Sequence, residues 1–265
     1  MIGMFDSGVG GLTVLHALKQ ELPNESVLYF GDTARVPYGN KSAETIRRYS
    51  LEIAEFLLRK EIKLLICACN TASAHALETL QEALPIPVIG VVLPGARAAL
   101  DVSKTKKIAL LATRSTIESK AYPRALLKLC SSAEIFVTPC PLLVPLIEEG
   151  YLDHPLTRLA LQDYLKPVYE QGADTLLLGC THYPLLRPLL EKILPPHIAI
   201  VDSAKALASE AKSLLEQMGN LAKGARTVEY IVSDDPKRFA LLGEAFLGEK
   251  VVAESAYDIS EQHHI

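Results

Sequence analysis

Short, wholly apolar runs alternate along this chain with stretches whose apolar residues recur at helical spacing. Met1–Phe5, Ser26–Phe30, Lys63–Cys67, Pro87–Val92, Lys107–Ala112, Ile135–Thr138, the run Leu176–Leu178 and Ala199–Val201 read as strands. Those with no polar alternation suit strands buried on both faces of a sheet. Between them lie helical patterns: Leu12–Leu22, ended by Pro23, and a long helix capped by Ser42 and running through Lys60. Further helices are expected from Ser73 to about Leu84, around Lys120–Leu129, in a short turn closed by Leu146–Gly150, and over His154–Gln171. Another is expected to begin at Pro184, because proline is tolerated in a first helical turn. Leu207–Met218 and Pro236–Leu247 are helical, and Tyr230–Val232 and Val251–Ala253 are the last strands. Strands alternating with helices of this length predict βαβ units and parallel sheets.

The pattern runs twice. IGMFDSG parallels IALLATRST, and LLICACNT parallels LLLGCTH. The period is far longer than that of a solenoid, so the reading is two similar domains rather than an array. The expected fold class is therefore α/β: two similar parallel-sheet domains, related by a diverged duplication, with a site in the cleft between them. The first domain is expected over 1–93 plus 207–265, with the last segment returning to complete it, and the second over 94–206.

Composition narrows the function classes. The chain has 265 residues, 49% hydrophobic and 22% charged, enough to fill two cores of ordinary size. Its formal charge of −4 argues against general binding of nucleic acid, which needs a basic surface. Five cysteines, an odd number in apolar or motif contexts, point to reduced thiols in the cytosol rather than a disulfide framework. The start MIGMFDSG has no basic region with a long apolar stretch behind it, and no apolar run reaches the ~18 residues of a membrane span. A cytoplasmic protein without signal peptide or membrane anchor is expected.

Two stretches carry candidate chemistry. In each, an apolar run ends in a small residue, then a cysteine, then hydrogen-bonding side chains: Ala68-Cys69-Asn70-Thr71 and Gly179-Cys180-Thr181-His182. Ligands of open α/β sheets bind at the carboxyl ends of strands, where both stretches fall. A thiol beside a helix N-terminus and an imidazole loses its proton more readily than the free value of ~8.5 suggests. Buried cysteine usually acts as a small hydrophobe, which suits Cys67 in a strand, Cys130 on a helix and Cys140 in a proline-rich loop. It suits Cys69 and Cys180 poorly. A zinc set of Cys67, Cys69, Cys180 and His182 is the sharper rival, but C-x-C and C-x-H are tight for structural sites. The turn Asp6–Gly11 resembles part of a dinucleotide fingerprint, yet no acidic residue clearly ends the second strand to take a ribose. It can instead place Asp6 and Ser7 at a strand end facing a ligand, where a carboxylate suits an ammonium group. His75 falls near the candidate site, whereas His16, His154 and His197 read as surface or cap residues and His263-His264 as a tail.

Two thiols across a cleft can work on opposite faces of one carbon, one removing a proton as thiolate and the other returning one, so that the centre inverts. Backbone N–H groups of Asn70, Thr71 and Thr181 can hold a carboxylate beside that carbon and stabilise the charge that develops. The set FDSGVGG, YFGDTARVPYG, ACNTAS, ATRST and LGCTHYPLL, in this order, resembles the glutamate racemases of the aspartate/glutamate racemase superfamily. The resemblance covers nearly the whole chain and weakens after Leu207. It implies interconversion of L- and D-glutamate without a cofactor or metal, supplying D-glutamate to peptidoglycan. It implies Cys69 and Cys180 as proton carriers, assisted by Asp6 and His182 respectively. It implies substrate contacts from Asp6, Ser7, Tyr38, Gly39, Asn70, Thr71, Thr181 and His182, and a glutamate near the histidine, Glu149 or its neighbour Glu148. It also implies homodimers, in more than one arrangement. Two alternatives stay open: a racemase of another amino acid such as aspartate, since one methylene of pocket depth is worth only ~1–3 kcal/mol, and a non-catalytic amino-acid-binding module.

Overall fold

The computed structural model describes residues 1–256. In its first part β1 (Ile2–Asp6), α1 (Leu12–Glu21), β2 (Val27–Gly31), α2 (Ala43–Leu58), β3 (Leu64–Cys67), α3 (Asn70–Ala83), β4 (Val88–Gly90) and α4 (Val92–Val102) follow in order. Then come β5 (Lys107–Ala112), α5 (Arg114–Ser119), α6 (Ala121–Leu129), β6 (Glu134–Pro139), α7 (Leu143–Glu148), α8 (Pro155–Tyr164), α9 (Lys166–Glu170) and β7 (Thr175–Gly179). The chain continues through α10 (Arg187–Ile193), β8 (Ala199–Val201), α11 (Ala204–Gln217), β9 (Val228–Val232), α12 (Pro236–Leu247) and β10 (Ala253–Ser255).

These strands build two sheets, ordered β10-β9-β2-β1-β3-β4 and β6-β5-β7-β8, with every pairing parallel. The order β2-β1-β3-β4 repeats position by position as β6-β5-β7-β8, so the duplication read from the motifs holds at the level of topology. Strands β1, β2, β3 and β7 are buried at every residue, which is why their sequences are unbroken apolar runs. β9 and β10 join the outer edge of the first sheet, so the chain's last part returns to its first half. One buried cluster joins the halves, running from Ile2, Met4 and Leu15 to Leu111, Leu176 and Leu178.

The structure departs from the sequence reading at several places. α3 starts at Asn70, not Ser73, because Cys69 caps it: its sulfur accepts the N–H of Ala72 at 3.5 Å. α4 is an additional helix; Pro94 falls in its first turn, where proline costs nothing. Gly95 allows Ser203 and Tyr122 to approach, since a Cβ there would lie 3.1 Å from each. β4 is correspondingly shorter than Pro87–Val92. The stretch His154–Gln171 is two helices broken at Leu165, two residues before Pro167. His154 caps the first of them, accepting the N–H of Leu156 at 3.2 Å. A 3₁₀ turn, Tyr183–Leu186, stands where a helix from Pro184 is expected, and α10 begins only at Arg187. α11 begins at Ala204 rather than Leu207, and the last strand sits two residues later than Val251–Ala253. His263 and His264 lie outside the described residues.

Candidate active site

The carboxyl ends of the two sheets border one cleft of about 270 Å³. Ser7, Tyr38, Gly39, Cys69, Asn70 and Thr71 line it from the first half. Cys180, Thr181 and His182, from the loop after β7, line it with Glu148 and Glu149 at the end of α7. Both thiols therefore share a single cavity, each delivered by the corresponding strand of its half. Asp6 differs from its expected place: it ends β1, is fully buried and lies behind the lining. There it accepts the N–H of Gly8 at 2.9 Å and the hydroxyl of Thr181 at 3.3 Å, tying the first half to the Cys180 loop. Burial raises its carboxyl above the ordinary carboxylate range, although the His182 charge and these donors oppose the rise.

The glycine-rich turn serves this contact. A Cβ on Gly10 would lie 2.4 Å from the hydroxyl of Thr181 and 2.4 Å from Nδ1 of His182, so only glycine lets the turn pass under both. Thr13, just beyond, donates its hydroxyl to the carbonyl of Thr181 at 2.9 Å.

Cys69 faces Ser7 at 3.7 Å. Burial pushes its thiol up to about 11 and the Asp6 charge adds to the rise, while the N–H groups of Ala72 and Ser7 and the Ser7 hydroxyl oppose it. This corrects the expectation of an acidified thiol. The helix N-terminus is present, but loss of hydration outweighs it.

Cys180 is raised further, again mainly by burial, with the His182 backbone N–H opposing and nearby thiols and Asp6 adding. Its sulfur stands 3.9 Å from Nδ1 of His182, and Nε2 of His182 stands 2.9 Å from Glu148 Oε1. In the neutral ring, with Nε2–H donating to the carboxylate, Nδ1 faces the Cys180 sulfur as an acceptor. Burial acts to raise Glu148, but the hydrogen bond and charge of His182, with Arg238, bring it below the ordinary value, so it is a carboxylate. The acid beside the histidine is thus Glu148. Glu149 turns to the rim, where its side chain is 66% exposed and meets Arg238 at 3.3 Å. An exposed pair contributes about 0–1 kcal/mol, so it does little to fix that wall.

The polar lining is held from behind. Tyr122 donates its hydroxyl to Asn70 Oδ1 at 2.6 Å, which turns the amide nitrogen of Asn70 free of that bond. The hydroxyls of Thr71, Thr113 and Thr116 lie within 3.0 Å of one another, linking α3 to the cap of α5. Tyr38 is buried and gives its hydroxyl proton to Asp32. Thr113, Arg114 and Cys140 also line the cleft and are additional to the residues expected from sequence. The parallel between FDSG and ATRST was the signal for the first two. His75 does not line it; it bonds Ser115 at 2.9 Å across the two halves. Cys67 sits inside β3 in an apolar cluster. Among the described residues no three of His, Cys, Asp and Glu gather as a metal ligand set.

Two parallel α/β halves, each sending one thiol from an equivalent strand end into a shared cleft, define a class of amino-acid racemases. The family model for Asp/Glu/hydantoin racemases matches residues 7–211, and the chain belongs to that family. It is 51% identical over 252 residues to the glutamate racemase of Syntrophus aciditrophicus, covering 94% of this chain and 93% of the relative. Identity to the glutamate racemase of Geobacter metallireducens is 48% over 253 residues, with 94% and 93% covered. A crystal structure of a Bacillus anthracis glutamate racemase isoform superposes with a TM-score of 0.93 at 39% identity, covering 97% of each chain. The Francisella tularensis glutamate racemase in complex with D-glutamate gives 0.89 at 37% identity, covering 95% of each. Among the described residues no helix is long and apolar enough to cross a membrane.

Proposed function

We propose that this protein interconverts L- and D-glutamate by a two-thiol proton transfer, in the cytoplasm and without a cofactor, and so supplies D-glutamate for peptidoglycan. The observation that carries the reading is the placement of Cys69 and Cys180: equivalent strand ends within the four-strand order that the two sheets share, facing one cleft. Curated glutamate racemases at 46–51% identity support the substrate. The working halves are 1–93 with the described residues from 207 on, and 94–206.

The substrate's α-carboxylate takes N–H groups of Asn70, Thr71 and Thr181, and the amide of Asn70 that Tyr122 orients. Its distal carboxylate meets Ser7 and the turn of Tyr38 and Gly39. One thiol, deprotonated as substrate binds, takes the α-proton; the other gives a proton to the opposite face. Asp6 assists Cys69 and His182 assists Cys180, with Glu148 holding the imidazole. The two raised thiols suit the donor role as they stand, because each rests protonated. The acceptor role requires a base beside each, and charge developing on the carboxylate is stabilised by donors fixed in advance.

Deuterium incorporation tests the pair. In deuterated water, D-glutamate made from L-glutamate should carry solvent deuterium at the α-carbon from the first turnovers, while recovered L-glutamate stays almost undeuterated. Equal early labelling of both would mean one shared base and overturn the two-thiol reading.

A further inference from the structure

Asp32 lies outside the cleft lining and has no part in the proton transfers, yet it is fully buried and collects four hydrogen bonds. Tyr38 donates its hydroxyl to Oδ2. Arg35 Nε reaches both oxygens, at 2.9 and 2.6 Å. Ser233, just past β9, donates to Oδ1 at 2.9 Å. A buried carboxylate is costly unless paired, and this one is paired on every side. Arg35 is in turn fixed over the ring of Tyr49 at 4.1 Å and by Glu52 on α2. Asp32 therefore ties the 3₁₀ turn Tyr38–Asn40 to α2 and to the strand that the chain's last part adds to the first sheet.

The tie restricts what Tyr38 can do. Its hydroxyl proton is spent on Asp32, so the tyrosine offers the cleft no hydroxyl donor. On the other side the turn presses against the second half, where a Cβ on Gly39 would lie 2.9 Å from Cβ of Thr113. We propose that Asp32 is a positioning residue for substrate binding: by holding the Tyr38 hydroxyl, with Arg35 and Ser233 as its other partners, it fixes the turn that receives the distal carboxylate and so sets affinity for it. This rests on the functional reading above, in which that turn meets the distal carboxylate.

The experiment is steady-state racemisation of glutamate together with calorimetric binding of D-glutamate, for the unaltered protein and a small set of variants. Tyr38→Phe should raise KM and Kd about 10–100-fold while kcat changes less than about threefold, since a bond to a charged group is lost away from the reacting carbon. Asp32→Asn keeps an acceptor for the tyrosine and should bind about tenfold better than Asp32→Ala. Asp32→Ala with Tyr38→Phe should be no weaker than the weaker single variant within about threefold, because both cut one link. Ser233→Ala removes a single donor and should raise KM by about three- to tenfold. Tyr38→Phe and Ser233→Ala carry the test if Asp32→Ala does not fold. Unchanged KM in Tyr38→Phe, effects that multiply in the double variant, or a fall in kcat at constant KM would each overturn the proposal alone. An unaltered protein that does not racemise glutamate would overturn the functional reading with it.

Discussion

His182 and Glu148 meet at 2.9 Å through Nε2 and Oε1, across the cleft wall between the β7 loop and the end of α7. The pair fixes which nitrogen of the imidazole faces Cys180. It also decides between two adjacent acids that no local pattern distinguishes.

Glu148→Gln should lower turnover by about 10–100-fold, less than the 10²–10⁴ supplied by a group that moves the proton itself. Glu149→Gln, at the exposed rim, should change turnover by less than about twofold. Chiral chromatography of product formed at saturating L-glutamate reads both. Equal losses would mean that the two acids act together.

Gly10→Ala should misplace Thr181 and His182 together, because the added methyl would start 2.4 Å from each. A displacement of about 1 Å in catalytic groups can cost about 10² in rate. Turnover should fall by about that factor while Tm moves by only a few degrees, as followed by calorimetry. A fully active variant would show that the turn can shift without disturbing the loop.

The thiols should react in an order opposite to their functional importance. Burial raises Cys69 and Cys180, whereas the Ser132 hydroxyl lowers the half-buried Cys130. Since thiolate is the nucleophile, an alkylating reagent at pH 8 should label Cys130 first in the ligand-free protein. Peptide mapping by mass spectrometry gives the order; Cys69 or Cys180 labelled first would contradict the burial effect.

Stability should fall in alkali for the same reason. Cys69 holds its proton to about 11 in the folded chain against an ordinary 9.0. A raised pKa contributes stability that is fully present below pH 9.0 and is lost as pH climbs through about 11. The slope is about 1.4 kcal/mol per pH unit for each such thiol. Urea unfolding between pH 8 and 11 should show the decline, and Cys69→Ser should make it shallower. An unchanged slope would place the effect on other groups.

Much of this molecule was legible in its sequence because the two cysteine stretches follow one plan: apolar run, small residue, thiol, polar donors. That plan located Cys69, Cys180 and the duplicated sheets. Element boundaries were harder wherever a residue's role depends on what lies next to it in space. Asn70 and Thr71 fall just before the helix expected from Ser73, but with the Cys69 sulfur as cap they form the first turn of α3. No helix is expected around Pro94 and Gly95, yet they lie in the first turns of one packed closely on Ser203 and Tyr122. The state of the thiols was out of reach for a different reason. A helix N-terminus can be read from sequence; the burial that outweighs it cannot. Nor does any spacing rule say that Tyr38 turns its hydroxyl to Asp32 rather than to the cleft.

The duplicated sheets carry unequal equipment. Cys180 has an imidazole and a carboxylate in line behind it, Cys69 a serine hydroxyl and the first N–H groups of α3. The two mirror-image substrates have the same free energy in water, so the ratio kcat/KM must be identical in the two directions whatever the protein does. Whichever enantiomer is turned over faster must then have the higher KM, by the same factor. The asymmetry between the walls cannot favour one hand of the amino acid at equilibrium. It sets only how each direction divides a common efficiency between capture and turnover.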